Sequence, residues 1–524
     1  MLNIDDYSIS AMIRRSEAEY GQKLFFVGED FSKTYSDFAE DIEKLANYFS
    51  ENNLFNKRIG IYASNSYYWL LVFFTVSGKT GVIVPLDKEL PERELKLSVK
   101  RTELDFIYYD NSTKDKIESL PKRIGKAHVS SIDNILKQQS KNATIKPPKR
   151  KFAALFLTSG TTSNSKIVML SEKNLTSCAY SSAAAFKLKT TDRYYTILPL
   201  HHTLTLQCTV LVPITNGCSI CLSKNIKSMK KEMSLYKPTA LVVVPRLLEY
   251  IMNNIELTAK KTGKQKALRA LVKISNALRV LHIDVRKYLF RSILANFGGK
   301  VRMIACGGAE LDQRIFDYLD NVGLNIYQGY GLTESSPILT IRGMFVKSKI
   351  GVGRPLYGVD LKINKPDSTG VGEIVAKAPQ VMLGYYDDAK STKAVLKNGW
   401  LYTGDLGRIR DDGNLEVVGR QKNVIIASNG KNIYPEELET LINYSNIVKE
   451  SVVSSVKKKA GAQIVATIVP EEQFMNDKSL DKKLKKIIDS INAELPDYKH
   501  INSFAIKREE FKKTTTLKIK RGAK

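Results

Sequence analysis

Apolar residues in this chain fall into short, nearly unbroken runs separated by longer stretches in which they recur every three or four positions. That pattern predicts buried strands alternating with amphipathic helices. Strand-like runs are Arg58–Ala63, Phe152–Leu157, Tyr194–Leu198, Ala240–Val244 and Val301–Ala305. Between them, Tyr35–Phe49 places Phe38, Ile42, Leu45 and Phe49 at spacings of four, three and four, one face of a helix. Such alternation predicts an α/β fold with parallel, doubly wound sheets. The greasiest run, Tyr67–Val76, is about half the length of a membrane helix. It stops at Gly78-Lys79 and reads as a buried helix.

From about residue 350 to 418 the texture changes to short strands broken by Gly, Pro and Asp, such as Asp360–Asn364, Gly372–Lys377 and Asn414–Val418. These predict a small antiparallel or β-barrel-like subdomain. After Gly419-Arg-Gln-Lys-Asn423 the pattern resets. A helix start at Tyr434-Pro-Glu-Glu-Leu is followed by strands near Val448–Val456 and Gln463–Val469, then by a lysine-rich helix, Leu480–Glu494. That is enough for a small α+β domain. The expected division is a large domain over 1–419, a connection at 420–423 and a C-terminal domain over 424–524. Residues 138–151, polar and basic with two prolines, read as a surface connector.

A chain of 524 residues exceeds a single hydrophobic core, which agrees with that division. Its five cysteines are scattered, and Cys218-Ser-Ile-Cys221 lacks the second pair or nearby histidine of a zinc site. A buried strand accounts for it, and the scatter suits a reducing compartment. The first residues, Met-Leu-Asn-Ile-Asp-Asp, lack the basic and apolar regions of a secretory leader, so the expected location is cytoplasmic. Net charge is +27, of which residues 421–524 hold 20 basic against 13 acidic groups. The excess is read as spread along the chain, with no nucleic-acid partner expected.

Chemistry concentrates in four segments. The first, Leu157-Thr-Ser-Gly-Thr-Thr-Ser-Asn-Ser-Lys166, leaves the end of a strand. The hydroxyls of Thr158, Ser159, Thr161 and Thr162 can donate to phosphate oxygens, Gly160 lets the backbone approach, and Lys166 adds a mobile charge. It lacks the glycine spacing and terminal Gly-Lys-Ser/Thr of a Walker loop. Next come Tyr327-Gln-Gly-Tyr-Gly-Leu-Thr-Glu334 and Leu401-Tyr-Thr-Gly-Asp405. The last is the basic, hydroxyl-rich tail Phe511-Lys-Lys-Thr-Thr-Thr-Leu-Lys-Ile-Lys-Arg521.

In this order and over this length, the chain resembles the AMP-forming adenylate ligases: acyl-CoA synthetases, luciferases and adenylation domains. It looks most similar to bacterial long-chain fatty acid–CoA ligases. The resemblance also draws on Pro85-Leu-Asp-Lys-Glu-Leu90, Leu198-Pro-Leu-His-His-Thr203, Cys306-Gly-Gly-Ala-Glu-Leu311 and Asn429-Gly-Lys-Asn-Ile-Tyr-Pro-Glu-Glu-Leu438. It implies two steps: a carboxylate attacks the α-phosphorus of ATP and expels pyrophosphate, then a thiol takes the acyl group and AMP leaves.

The resemblance also implies roles. The Thr158–Lys166 loop would hold the β- and γ-phosphates, Glu334 a Mg²⁺ ion and Thr333 the α-phosphate. Tyr330 and Gly331, with Gly307, Gly308 and Ala309, would frame the adenine. Asp405 would accept from the ribose hydroxyls, with Arg420 beside it. His202 would position the acid, and Lys518 would offset charge in the first step. Lys518 would swing in with the C-terminal domain about a hinge at Lys422, and Gly430-Lys-Asn-Ile433 would then face the thiol step. Two departures stand out: Ser163, Ser165 and Ile167 replace the Gly, Pro and Gly of many relatives, and Leu517 precedes the tail lysine where Gly is usual.

The expected activity is therefore ATP-dependent activation of a fatty or related carboxylic acid, then transfer to CoA. Transfer to the phosphopantetheine of an acidic acyl carrier protein is the alternative, which the basic charge also suits. Peripheral contact with a membrane surface stays open, as do acyl chain length and oligomeric state.

Overall fold

The computed structural model describes residues 4–137, 145, 148–158, 165–223, 225–342, 351–427, 431–458, 461–513, 519 and 521. The apolar runs build two sheets. One has seven strands in the order Gly384–Tyr385, Ile167–Leu170, Ala154–Leu157, Val82–Pro85, Arg58–Tyr62, Phe106–Tyr109, Gly125–His128. From Ala154–Leu157 onward its strands run parallel, whereas the first two are antiparallel additions. The other sheet has nine strands, with a parallel core running from Ile326–Tyr330 through Met303–Cys306, Ala240–Val243, Arg193–Thr196 and Ser219–Leu222 to Leu24–Val27. These strands read as continuous apolar runs because helices cover both faces.

Helix Tyr35–Glu51 shows how local sequence and packing agree. Thr34 accepts from the Asp37 amide at 3.1 Å while Asp37 accepts from the Thr34 amide at 2.8 Å, a reciprocal cap that stops the helix fraying backwards. Its apolar face buries Phe38, Ile42, Leu45 and Phe49 completely or nearly so. Phe38 stacks on Phe25 with centroids 4.1 Å apart. The Tyr67 run is helical over Tyr67–Thr75, fully inside the same core, and gives way to a wider turn at Val76–Thr80.

The region after residue 350 forms an antiparallel sheet. Strand Trp400–Ile409 pairs with Gly372–Lys377 along one edge. Its other edge is shared between Leu396–Lys397 and Leu415–Arg420. Asp360–Asn364 lies outside Gly372–Lys377, so the sheet stays open. Beyond the short 3-10 turn Gln421–Asn423, a separate apolar cluster forms from Ile433, Leu438, Val453, Ile468, Leu484 and Ile488. It lies between helices Pro435–Asn443 and Leu480–Glu494 and a sheet of Val448–Lys458, Gly461–Pro470 and Ser503–Ile506. Pro435 opens the first of these helices with Glu436 and Glu437 in its first turn, where the helix dipole favours acids. This unit rests on the larger one through Arg314, which donates to the Asn443 and Tyr444 carbonyls and lies 4.7 Å from the Tyr444 ring centroid.

Candidate functional site

The Thr158–Lys166 segment is a hairpin connection. Strands Ala154–Leu157 and Ile167–Leu170 are antiparallel neighbours, with Leu157 opposite Ile167. The Thr158 amide donates to the Lys166 carbonyl at 2.9 Å, and the Lys166 amide donates to Thr158 Oγ1 at 3.0 Å. Sheet register thereby fixes both ends of the loop, and Ser165 receives hydrogen bonds from the Arg101 guanidinium. Ser159, Gly160, Thr161, Thr162 and Ser163 lie outside the described residues.

Lys166 and Glu334 meet through a residue the sequence did not single out. Tyr385 pairs opposite Val168 in the same sheet, which brings its ring to 4.4 Å from Lys166 Nζ. Its hydroxyl donates to Glu334 Oε1 at 2.8 Å, and burial together with that carboxylate pushes the phenol well above its usual range. Glu334 sits in the single turn Thr333–Ser335 and is also tied through its carbonyl, which accepts from the Met382 amide at 2.8 Å. No motif marks Tyr385: only the pairing of Gly384–Tyr385 with Ile167–Leu170 reveals it.

Glu334 offers one hard oxygen ligand, and among the described residues no cluster of three His, Cys, Asp or Glu groups surrounds it. That donor set fits Mg²⁺, which keeps several waters and takes phosphate oxygens in place of a protein cage. A cleft of about 400 Å³ runs past Lys166, Leu332, Glu334, Thr403, Gly404 and Gln421.

Next to the cleft-lining Thr403 and Gly404, Asp405 is 5% exposed. Tyr330 donates its hydroxyl to Asp405 Oδ2 at 2.9 Å, and Arg420 Nε lies 2.9 Å from Oδ1. A carboxylate accepts about four hydrogen bonds, so about two sites remain for a vicinal diol. Asp405 and Arg420 face each other across strands Trp400–Ile409 and Leu415–Arg420, which explains why residues far apart in sequence share a pair. Gly331 must be glycine, since a Cβ there would stand 1.8 Å from the Pro337 carbonyl oxygen. Gly308 follows strand Met303–Cys306 with φ +85°, and Gly308 and Ala309 are exposed.

Other expected residues lie apart. His202 precedes helix Thr203–Leu206, its ring 4.2 Å from that of His201. Burial, reinforced by Lys88, drives the His201 imidazole down to about 3, so it is neutral at physiological pH. Lys422 is exposed in the Gln421–Asn423 turn, next to Asn423, which donates to Glu436 at 2.6 Å. Lys518 and Gly430 are outside the described residues, but the tail is anchored on either side of Lys518. Lys513 pairs with Glu450 at 2.8 Å, Lys513 and Ile519 form an antiparallel bridge, and Arg521 holds Glu439 and Glu436.

Known proteins share this sequence family and this fold. A family model described as AMP-binding enzyme matches residues 13–386, and one described as AMP-binding enzyme C-terminal domain matches 422–523. A long-chain-fatty-acid–CoA ligase of Mycobacterium bovis is 32% identical over 337 residues, covering 61% of this chain and 54% of the relative. The chain thus matches about half the length of that ligase. Fatty acyl-CoA synthetase B of Dictyostelium discoideum is 27% identical over 92% of this chain and 80% of its own. Among solved structures, o-succinylbenzoate CoA synthetase of Bacillus subtilis, in complex with its acyl-adenylate intermediate, gives a TM-score of 0.77 at 20% identity over 97% and 96% of the two chains. Fatty acyl CoA synthetase of Mycobacterium tuberculosis gives 0.69 at 19% identity over 98% and 96%, and at such identities the shared property is the fold. The first family model alone takes in well over half of the sequence, and the chain belongs to the AMP-binding enzyme family.

Proposed function

We propose that this protein is an AMP-forming acid–thiol ligase that activates a fatty or related carboxylic acid and passes it to CoA. The observation that carries the reading is that Lys166, Glu334 and the Thr403-Gly404 segment beside Asp405 border one cleft. The named relatives act as fatty acyl–CoA ligases, which supports an acyl substrate.

In the first step a carboxylate oxygen forms a bond to the α-phosphorus of ATP, and the bond from that phosphorus to the bridging oxygen breaks, its electron pair leaving on pyrophosphate. In the second, the thiol sulfur attacks the acyl carbon, its proton is lost, and AMP departs. The difficulty is electrostatic, because an anion must approach a polyanion, and positioned charge lowers that barrier.

Lys166 and the loop amides and hydroxyls of Thr158–Lys166 would receive the β- and γ-phosphates. Thr333 would donate to the α-phosphate. Asp405 would accept from the ribose, held rigid by Tyr330 and Arg420. Gly307, Gly308 and Ala309 would leave room for the base beside Tyr330 and Gly331. Glu334 would hold Mg²⁺, which supplies charge neutralisation on phosphate oxygens when bound. His202 would position the acid. The 424–524 domain would swing about Lys422, bringing Lys518 to the reacting carboxylate and α-phosphate and withdrawing it for the thiol step. The free, buried cysteines suit a cytoplasmic setting.

Acid-dependent exchange of labelled pyrophosphate into ATP tests the first step. Lys518→Ala should abolish it while largely sparing thioester formation from a supplied acyl-adenylate; equal loss of both refutes the role. AMP release that requires CoA supports the acceptor proposed, whereas release only with a holo-carrier protein transfers the reading to the carrier.

A further inference from the structure

We propose that helix Gln265–Val280 and the turn after it form a docking surface for an anionic lipid bilayer. Between Lys260 and Lys300 the sequence holds eleven Lys and Arg residues and one acid, Asp284, so this stretch carries +10 of the +27. The even spread of charge expected from overall composition therefore does not hold here. Arg286 pairs with Asp284 at 2.7 Å and with Asp320 at 2.8 Å, and Arg279 lies 3.1 Å from the same Asp320, so these two cations are already partnered.

The helix packs Leu268, Leu271 and Val272 against the core of the nine-stranded sheet and buries Ser275. Its opposite arc is exposed and carries Ile274 with Lys266, Arg269 and Lys273 beside it, at positions that helical periodicity brings to one side. The apolar line continues past the helix end. Val280, Tyr288 and Leu281, at 78, 74 and 67% exposure, are the three most exposed large apolar side chains among the described residues. Ile283, at 50%, lies between them. Lys266, Arg269 and Lys273 make no ion pair among the described residues.

Exposed apolar side chains of this size beside the unpaired Lys266, Arg269 and Lys273, with Asp284 and Asp320 already held by Arg279 and Arg286, match a surface that is anionic outside and hydrocarbon a few ångströms in. Tyr288 carries the amphipathic ring that favours such an interface. Among the described residues no helix is long and apolar enough to cross a membrane, so the contact is peripheral. The surface gives an acyl-activating enzyme access to lipid, but the inference stands on the surface itself and its readout is not turnover.

The test is co-sedimentation of the full chain with vesicles of phosphatidylcholine alone or mixed equally with anionic phosphatidylglycerol. Wild-type protein should bind the anionic vesicles, bind the neutral ones weakly, and release as salt rises. The triple variant Lys266→Glu, Arg269→Glu, Lys273→Glu should lose on the order of 100-fold in partitioning. Val280→Asp with Leu281→Asp should weaken binding by at least about tenfold. Both variants alter exposed side chains, and a thermal melt checks that they stay folded. Reversing Lys482, Lys485 and Lys486 to Glu on helix Leu480–Glu494 should leave binding within about threefold. Failure of the wild type to bind anionic vesicles overturns the proposal, as does equal loss in the Lys482 control. So does concentration-dependent self-association that Leu281→Asp removes in a protein that ignores vesicles. Vesicle binding without pyrophosphate exchange would keep this surface and sink the catalytic reading, and the reverse result would do the opposite.

Discussion

Behind one wall of the cleft, next to Thr403 and Gly404, Asp405 is buried with a partner on each oxygen, Tyr330 and Arg420. At the other, Glu334 takes one hydrogen bond from Tyr385, while Lys166 lies over the face of the same ring. No ion pair joins Lys166 and Glu334 among the described residues, so an aromatic ring stands between cation and anion. The first arrangement is finished before any ligand arrives: its geometry is set by strand pairing, and breaking it deprives the part-buried Tyr330 hydroxyl of its acceptor. The second keeps both charges available, which suits a site that must take and release ions. On the reading proposed above, rigidity would fall where a constant part of the substrate is recognised, and unpaired charge where the charge being handled changes.

The contrast can be broken most severely at the rigid side. Asp405→Ala leaves the Tyr330 hydroxyl and Arg420 without their acceptor. We expect a fall in kcat/KM for pyrophosphate exchange on the order of 1000-fold and, because Arg420 is half exposed, a loss of about 1 to 2 kcal/mol in chemical denaturation. A variant that melts like wild type would show that the pair is not a prebuilt element.

Glu334→Gln keeps an acceptor for Tyr385 but removes the charge. It should raise the Mg²⁺ concentration for half-maximal exchange by about 10- to 100-fold while changing stability by less than about 1 kcal/mol, separating ligand function from structure. Tyr385→Phe retains the ring over Lys166 and loses the hydroxyl, with an expected drop of about three- to tenfold. Tyr385→Leu removes both contacts and should fall further. If the two Tyr385 variants match, the ring contributes nothing to Lys166.

The smallest effect concerns pH. His201 is held neutral, its pKa lowered from the ordinary histidine value to about 3. The unfolded chain therefore binds the proton first, and stability declines as pH falls from about 6.5 toward 3. In denaturant titrations between pH 7 and about 5.5, His201→Gln should lessen that decline by about 1 kcal/mol, without altering the dependence contributed elsewhere.

Much of the scaffold could be read from pattern alone, because strands buried on both faces and helices buried on one leave distinct periodicities. Tyr35–Glu51 and Leu480–Glu494 begin where their sequence places them. The Gly404-Asp405 pair suggests a tight turn, but Asp405 lies within strand Trp400–Ile409 and Arg420 ends strand Leu415–Arg420, and strand register explains why they touch. Tyr385 was invisible, since a tyrosine beside another tyrosine carries no chemical spacing, and its role depends on a strand pairing across more than two hundred residues. The hairpin character of the Thr158–Lys166 segment was missed for the same reason: an apolar run after a loop does not declare its direction. The concentration of charge at Lys260–Lys300 was legible, but only counting by segment brings it out.

Arg420 is both the partner of Asp405 and the last residue of its strand before the Gln421–Asn423 turn. On the reading proposed above, one guanidinium would serve both the ribose acceptor and the segment about which the C-terminal domain turns. A ligand that competes with it for Asp405 would then loosen that segment, and by reciprocity a rotation that draws it away would reset how firmly Asp405 holds its guest. Occupancy and orientation would then be two readings of a single equilibrium, and replacing this arginine should uncouple them.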